Sequence, residues 1–306
     1  ALNLSGGTLS KAVSGSGTTN ITGAVTSNSA ISQAINIIAA GDLTISAGNI
    51  GGAVTNAGDL ILTGGTLSKA VSGAGLTTIS GNTTNNGGIN QAVKVNSGVT
   101  LANNAALGSA NGAITNAGTI NSNADYIKGT VANSGSLNLS GGTLSKAVSG
   151  SGTTNITGNT TNNAGINQGV NINNGVTLTN NAALGSDSGK ITNAGTINTN
   201  ASNIKGTVTN NNALNLSGGT LSKAVSGNGT TTISGNTTNN AGINQGVNVN
   251  SGVTLTNNAA LGSDNGKITN AGTINTNANN IKGAVTNNNA LNLSGGTLSK
   301  AVSGSG

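Results

Sequence analysis

The chain has 306 residues and a net charge of +6, from eleven lysines and five aspartates, and it contains no Cys, His, Pro, Met, Trp, Phe, Arg or Glu. The absence of Cys and His removes the usual zinc ligands, and without His the usual base for a Ser or Thr nucleophile is missing. Tyr126 is the only aromatic residue, so a core built on large ring side chains is excluded. A Gly-, Asn-, Ser- and Thr-rich composition would ordinarily read as disorder, but charge is sparse and the aliphatic residues are periodic, so internal repetition decides whether the chain is ordered.

In chain order, short alternations predict strands at "LNLS" (2–5), "TTNIT" (18–22), "VKVN" (93–96), "TLTN" (177–180) and "VNVN" (247–250). In each, Val, Ile or Leu takes one face and Asn, Thr or Ser the other. Corner signals such as "SGG", "SGSG", "NAG" and "NNG" separate them. The marker "GGTLSKAVSG" recurs with Lys11, Lys69, Lys146, Lys223 and Lys300, at gaps of 58, 77, 77 and 77. Inside one 77-residue repeat the aliphatic anchors Val148, Val170, Ile191, Val208 and Val225 step by 22, 21, 17 and 17. The first, shorter repeat runs Val13, Ile35, Val54, Val71, with one unit fewer. Units are gained or lost whole, as in a stack of layers.

Helical repeats need about 33 residues or more per unit and a different composition. Layers of 17–22 residues rich in β-branched and turn residues predict an all-β, right-handed parallel β-solenoid (β-helix). Sixteen anchors, Val13 to Val302, give about sixteen coils in a 77-residue four-coil super-repeat, and a stack of roughly 75 Å. The expected organisation is one continuous solenoid over residues 1–306, with super-repeats at about 1–59, 60–136, 137–213 and 214–290 and the start of the next at 291–306. Residues 1–17 and 290–306 are identical, which is expected of a segment of a longer repetitive chain.

A stack also explains the sparse charge, because like charges on adjacent layers repel. Asparagines can instead bond from layer to layer. Asn56, Asn116, Asn193 and Asn270, each two residues past an anchor in "VTNAG" or "ITNAG", are the expected ladder or corner positions.

At this level the chain resembles the passenger regions of bacterial surface adhesins, the filamentous-haemagglutinin-like proteins and autotransporters. The resemblance is carried over essentially the whole length by "TNAGTINSN", "TNAGTINTN", "NNGVTLTNN" and "SGSLNLSGG". It implies an exported protein standing out from the cell. The segment departs from such passengers in lacking aromatics, arginines and irregular loops, which implies a shaft in place of a receptor site.

Other chemistries find little support. The acids are Asp42, Asp59, Asp125, Asp187 and Asp264. Asp187 and Asp264 stand at equivalent positions, too far apart for a catalytic pair, whereas Asp42 and Asp59 lie one coil apart. "GSDSGK" and "GSDNGK" (185–190 and 262–267) place one acid in a Gly-rich loop beside Lys190 or Lys267, which favours a local ion pair over calcium. Lysines are scattered without aromatic interleaving, so no nucleic acid is expected, and no apolar stretch suggests membrane insertion. The "TLT" rows at 177–179 and 254–256 do not repeat in intervening coils, which argues against a threonine ice lattice. "NIT" at Asn155 and "NTT" at Asn159 are glycosylation sequons.

The sequence therefore predicts no catalytic, cofactor-binding or metal residue. The expected function is a non-enzymatic extracellular rod or fibre at the cell surface, for attachment, aggregation or matrix building. A subunit stacking head to tail and a glycan- or ice-binding face are the alternatives. The expected partners are the chain itself and surface glycans or other cells.

Overall fold

Two-residue alternation becomes strand along the chain. In Ile89–Val95 the side chains of Ile89, Gln91, Val93 and Val95 are buried and those between them face outward. The computed structural model describes all 306 residues as an all-β parallel solenoid of about 18 turns. It comprises two compact units, Ala1–Thr153 and Thr154–Gly306.

In the first unit every strand pairs in parallel with its counterpart one coil away. One ladder runs Leu2, Thr19, Ile35, Val54, Val71, Ile89, Leu107, Ile127. A second runs Val25, Leu43, Leu60, Thr77, Val93, Ile114, Val131, Val148. A third joins Thr83, Leu101, Ile120 and Leu137. Each coil thus contributes three paired stretches, such as those of Leu101, Leu107 and Ile114, all fully buried. Coils measured along these ladders are 16 to 21 residues long, which sets the expected 17–22 slightly lower.

The registers correct one part of the anchor series. The 22-residue step from Val148 to Val170 has its counterpart 77 residues earlier at Val71 and Val93, and that step is not one coil, because Val71 pairs with Ile89 and Val93 with Thr77. Val71 and Thr77 share the long strand Val71–Ile79, whose register shifts between Ser72 and Leu76. That shift carries the strand from one ladder to the next. Gly73 makes it possible: its φ is +130°, and a Cβ there would stand 2.0 Å from the Asn56 carbonyl oxygen.

The second unit repeats the device. Four coils on from Thr160, through Leu178, Ile197 and Leu214, lies Thr231. The sequence counterpart of Thr160 is Thr237, six residues further, on a separate ladder with Leu255, Ile274 and Leu291. Likewise Val170 reaches Ile243 after Ile191, Val208 and Val225, while its counterpart Val247 pairs with Thr231. A 77-residue repeat is therefore four coils and one further stretch, not four coils. The extra stretch comes from the out-of-register "SGNG" bend between Ser226 and Thr230.

The interior is not purely aliphatic. Asn116, Asn193 and Asn270 are fully buried, as are Thr77, Thr154 and Thr231; Thr77 and Thr231 stand between aliphatic residues in their ladders. Short 3₁₀ turns recur at Ala47–Asn49, Ala124–Tyr126, Ala201–Asn203 and Ala278–Asn280. In the last three, the preceding asparagine side chain accepts a hydrogen bond from the backbone N–H two residues on.

Candidate functional surface

The outward residues follow from the inward ones. With Leu, Ile and Val committed to the interior, the alternate positions of each strand present Asn, Thr and Ser in columns. Many of these bond along the stack: Asn20 to Asn3 at 2.8 Å, Asn138 to Asn121 at 2.7 Å, Asn215 to Asn198 at 2.8 Å and Asn292 to Asn275 at 2.8 Å. The surface is thus a set of rungs already bonded to one another.

The buried asparagines expected at ladder or corner positions carry the same pattern inward, as rungs at three of the four. Asn116 donates to Asn133, Asn193 to Asn210 and Asn270 to Asn287, each at 2.7 Å. Their carbonyls accept from the amides of Gly118, Gly195 and Gly272, so each is both rung and corner. Asn56 is a corner only: it donates to the Leu76 carbonyl and accepts from the Gly58 amide. A second buried column, Asn85 to Asn103 to Ser122, and its equivalents Asn162 to Asn180 to Thr199 and Asn239 to Asn257 to Thr276, was not foreseen.

The five acids fall at separate places. Asp42 and Asp59 are direct partners in adjacent coils, and one carboxylate oxygen of Asp42 is buried without a hydrogen-bond partner. Asp125 accepts from the Thr143 amide at 2.8 Å. Asp187 and Asp264 do form ion pairs, but not with the adjacent Lys190 and Lys267. Their partners are Lys223 and Lys300, 36 residues on. The marker lysine reaches back over a coil to the Gly-rich loop, a contact that sequence adjacency hides. The hydrogen bond from each lysine, followed by its charge, holds each carboxyl below the ordinary carboxylate value, against a smaller opposing effect of desolvation. Both aspartates are exposed, so the pairs contribute little to stability.

No protein-family model, curated protein or solved structure matches the chain. No helix is long and apolar enough to cross a membrane.

In the second unit an open groove of about 620 Å³ lies between the bend at 227–230, the strand Ile243–Val249 and the loop at 263–267. Asn228, Asn244, Asn248, Thr269 and Lys267 line it. Beneath them the buried Gln245 donates to the Thr231 hydroxyl at 2.7 Å. The lining offers hydrogen bonds and one cation but no aromatic platform. The two "TLT" rows lie on different ladders, with Leu178 paired to Ile197 and Leu255 to Ile274. The ladder containing Leu178 continues to Thr231, whereas Leu255 follows Thr237.

Proposed function

We propose that the chain is a non-enzymatic structural element of an extracellular, cell-surface fibre serving attachment, aggregation or matrix building. The observation that carries this reading is where its hydrogen-bonding capacity goes. Inward and outward asparagines alike bond to the coil above or below, so the coils' main partner is the next coil. A protein built this way gains stiffness and reach from repetition, since stability accumulates through nearest-neighbour interfaces. The adhesin-passenger resemblance points the same way. On this reading the chain's principal partner is itself.

A second reading, a surface that binds glycans, is favoured by the polar groove with Lys267. Threonine rows that fall on different ladders give no support to an ice lattice.

The two readings separate in one experiment. Cells would display the full chain, chains shortened by whole 77-residue repeats, and a full-length Lys267→Gln, Asn244→Ala variant, and their aggregation would be measured. A structural element loses aggregation with length and ignores the groove substitutions. Loss caused by the groove substitutions at full length favours glycan binding. Indifference to both length and groove contradicts both readings.

A further inference from the structure

An asparagine followed by glycine is open to attack by the glycine nitrogen on the asparagine side chain, because glycine has no Cβ to hinder the approach. The chain has five such pairs, beginning at Asn86, Asn111, Asn174, Asn228 and Asn265. In three of them the attacking nitrogen is occupied. Gly87 donates to Leu67 at 3.0 Å, Gly112 to Ser109 at 3.2 Å and Gly266 to Ser263 at 3.0 Å. In the fourth, Gly229 lies inside the strand Val225–Ile233, so closely packed that a Cβ would stand 2.3 Å from the Asn212 carbonyl oxygen.

Asn174 is different. It sits with Gly175 at the centre of a turn over 173–176, closed by the Val176 amide on the Asn173 carbonyl at 3.2 Å. Both central residues are exposed. Gly175 has φ +72° and nothing within 4 Å of where a Cβ would stand. Its N–H donates to no protein acceptor. The same turn recurs at 96–99 and 250–253, with Gly98 and Gly252 both at φ +74°, but there the residue before glycine is Ser97 or Ser251. The fold therefore supplies two natural controls for this one position.

We propose that Asn174 is a site of spontaneous deamidation. The Gly175 nitrogen loses its proton and bonds to Asn174 Cγ, and the Cγ–Nδ2 bond breaks with release of ammonia, leaving a cyclic imide. Water then adds to either imide carbonyl, giving aspartate or isoaspartate. The net charge falls by one from +6. The corner lies outside the flanking strands Ile166–Ile172 and Thr177–Asn180, so the change marks the age of the chain without unfolding it.

The test is timed incubation of the full chain in isotopically heavy water at two pH values, followed by peptide mapping with mass spectrometry. Asn174 is expected to convert at least about tenfold faster than Asn86, Asn111 and Asn265, whose attacking nitrogens are freed only by local opening, and than Asn228, whose glycine is packed within a strand. Its rate should rise with pH, and heavy oxygen should enter at residue 174. In urea the five rates should converge. Asn174→Ser should remove the early phase and leave the circular dichroism unchanged. Equal rates in the folded chain, or a lead for Asn174 that persists undiminished in urea, would overturn the proposal.

Discussion

Asn193 donates its side-chain amide to the Asn210 oxygen at 2.7 Å, one coil on, with both residues sealed from water. The same amide reaches the Ala213 carbonyl at 2.8 Å, and the Asn193 oxygen takes the Gly195 amide at 3.1 Å. Asn193→Leu would leave several buried groups without partners, each costing about 1–3 kcal/mol. The expected result is a large loss of hydrogen-exchange protection around residues 191–213, confined to neighbouring coils. Asn198→Ala removes an outer rung, bonded to Asn215, and should cost less than about 1 kcal/mol.

Val208 is 1% exposed and Thr209 points outward. Val208→Asp buries an unpaired carboxylate and should cost several kcal/mol. Thr209→Asp should cost less than about 1 kcal/mol. Urea midpoints of the two variants check the assignment of faces, which a larger effect from the outer substitution would reverse.

Val208 pairs directly with Val225, so residues 209–225 make one whole coil. Deleting them should leave a folded chain one coil shorter. Deleting half as many from the same segment should misplace the inward residues downstream. Equal thermal stability of the two deletions would count against a stacked register.

Asp187 and Asp264 have carboxyls held below their ordinary value by Lys223 and Lys300. A carboxyl depressed in the folded state adds stability above its unfolded pKa and loses it as pH falls through the folded value. Because both groups are exposed, the change should be small. Asp187→Asn with Asp264→Asn should leave the neutral-pH melting temperature nearly unchanged and remove a slight weakening on acidification.

The fold was legible because its main signal is local. Two-residue alternation, glycine corners and a layer-sized period leave few architectures open, and Asn116, Asn193 and Asn270 were recognisable by their fixed offset from an anchor. What escaped was contact between distant residues. Lys223 and Asp187 are brought together only by the rise of two coils, so adjacency suggested Lys190. Val71 and Val93 look equivalent because both are valines at anchor spacing, but the bend at Gly73 places them on different ladders. The pairing of Gln245 with Thr231 was hidden because a threonine among aliphatic anchors reads as an outward residue.

The most direct test of the stacked register is disulfide trapping, and the chain has no native cysteine to interfere. Thr232 lies opposite Asn248, and Ser226 opposite Asn244, in adjacent coils. A coil spacing of about 4.8 Å falls within the Cα separation that a disulfide spans. Thr232→Cys with Asn248→Cys, and Ser226→Cys with Asn244→Cys, should both close under mild oxidation. Ser226→Cys with Asn248→Cys, the pairing that a 22-residue coil between Val225 and Val247 would create, should stay open. Ready closure of that third pair and failure of the first two would contradict the architecture.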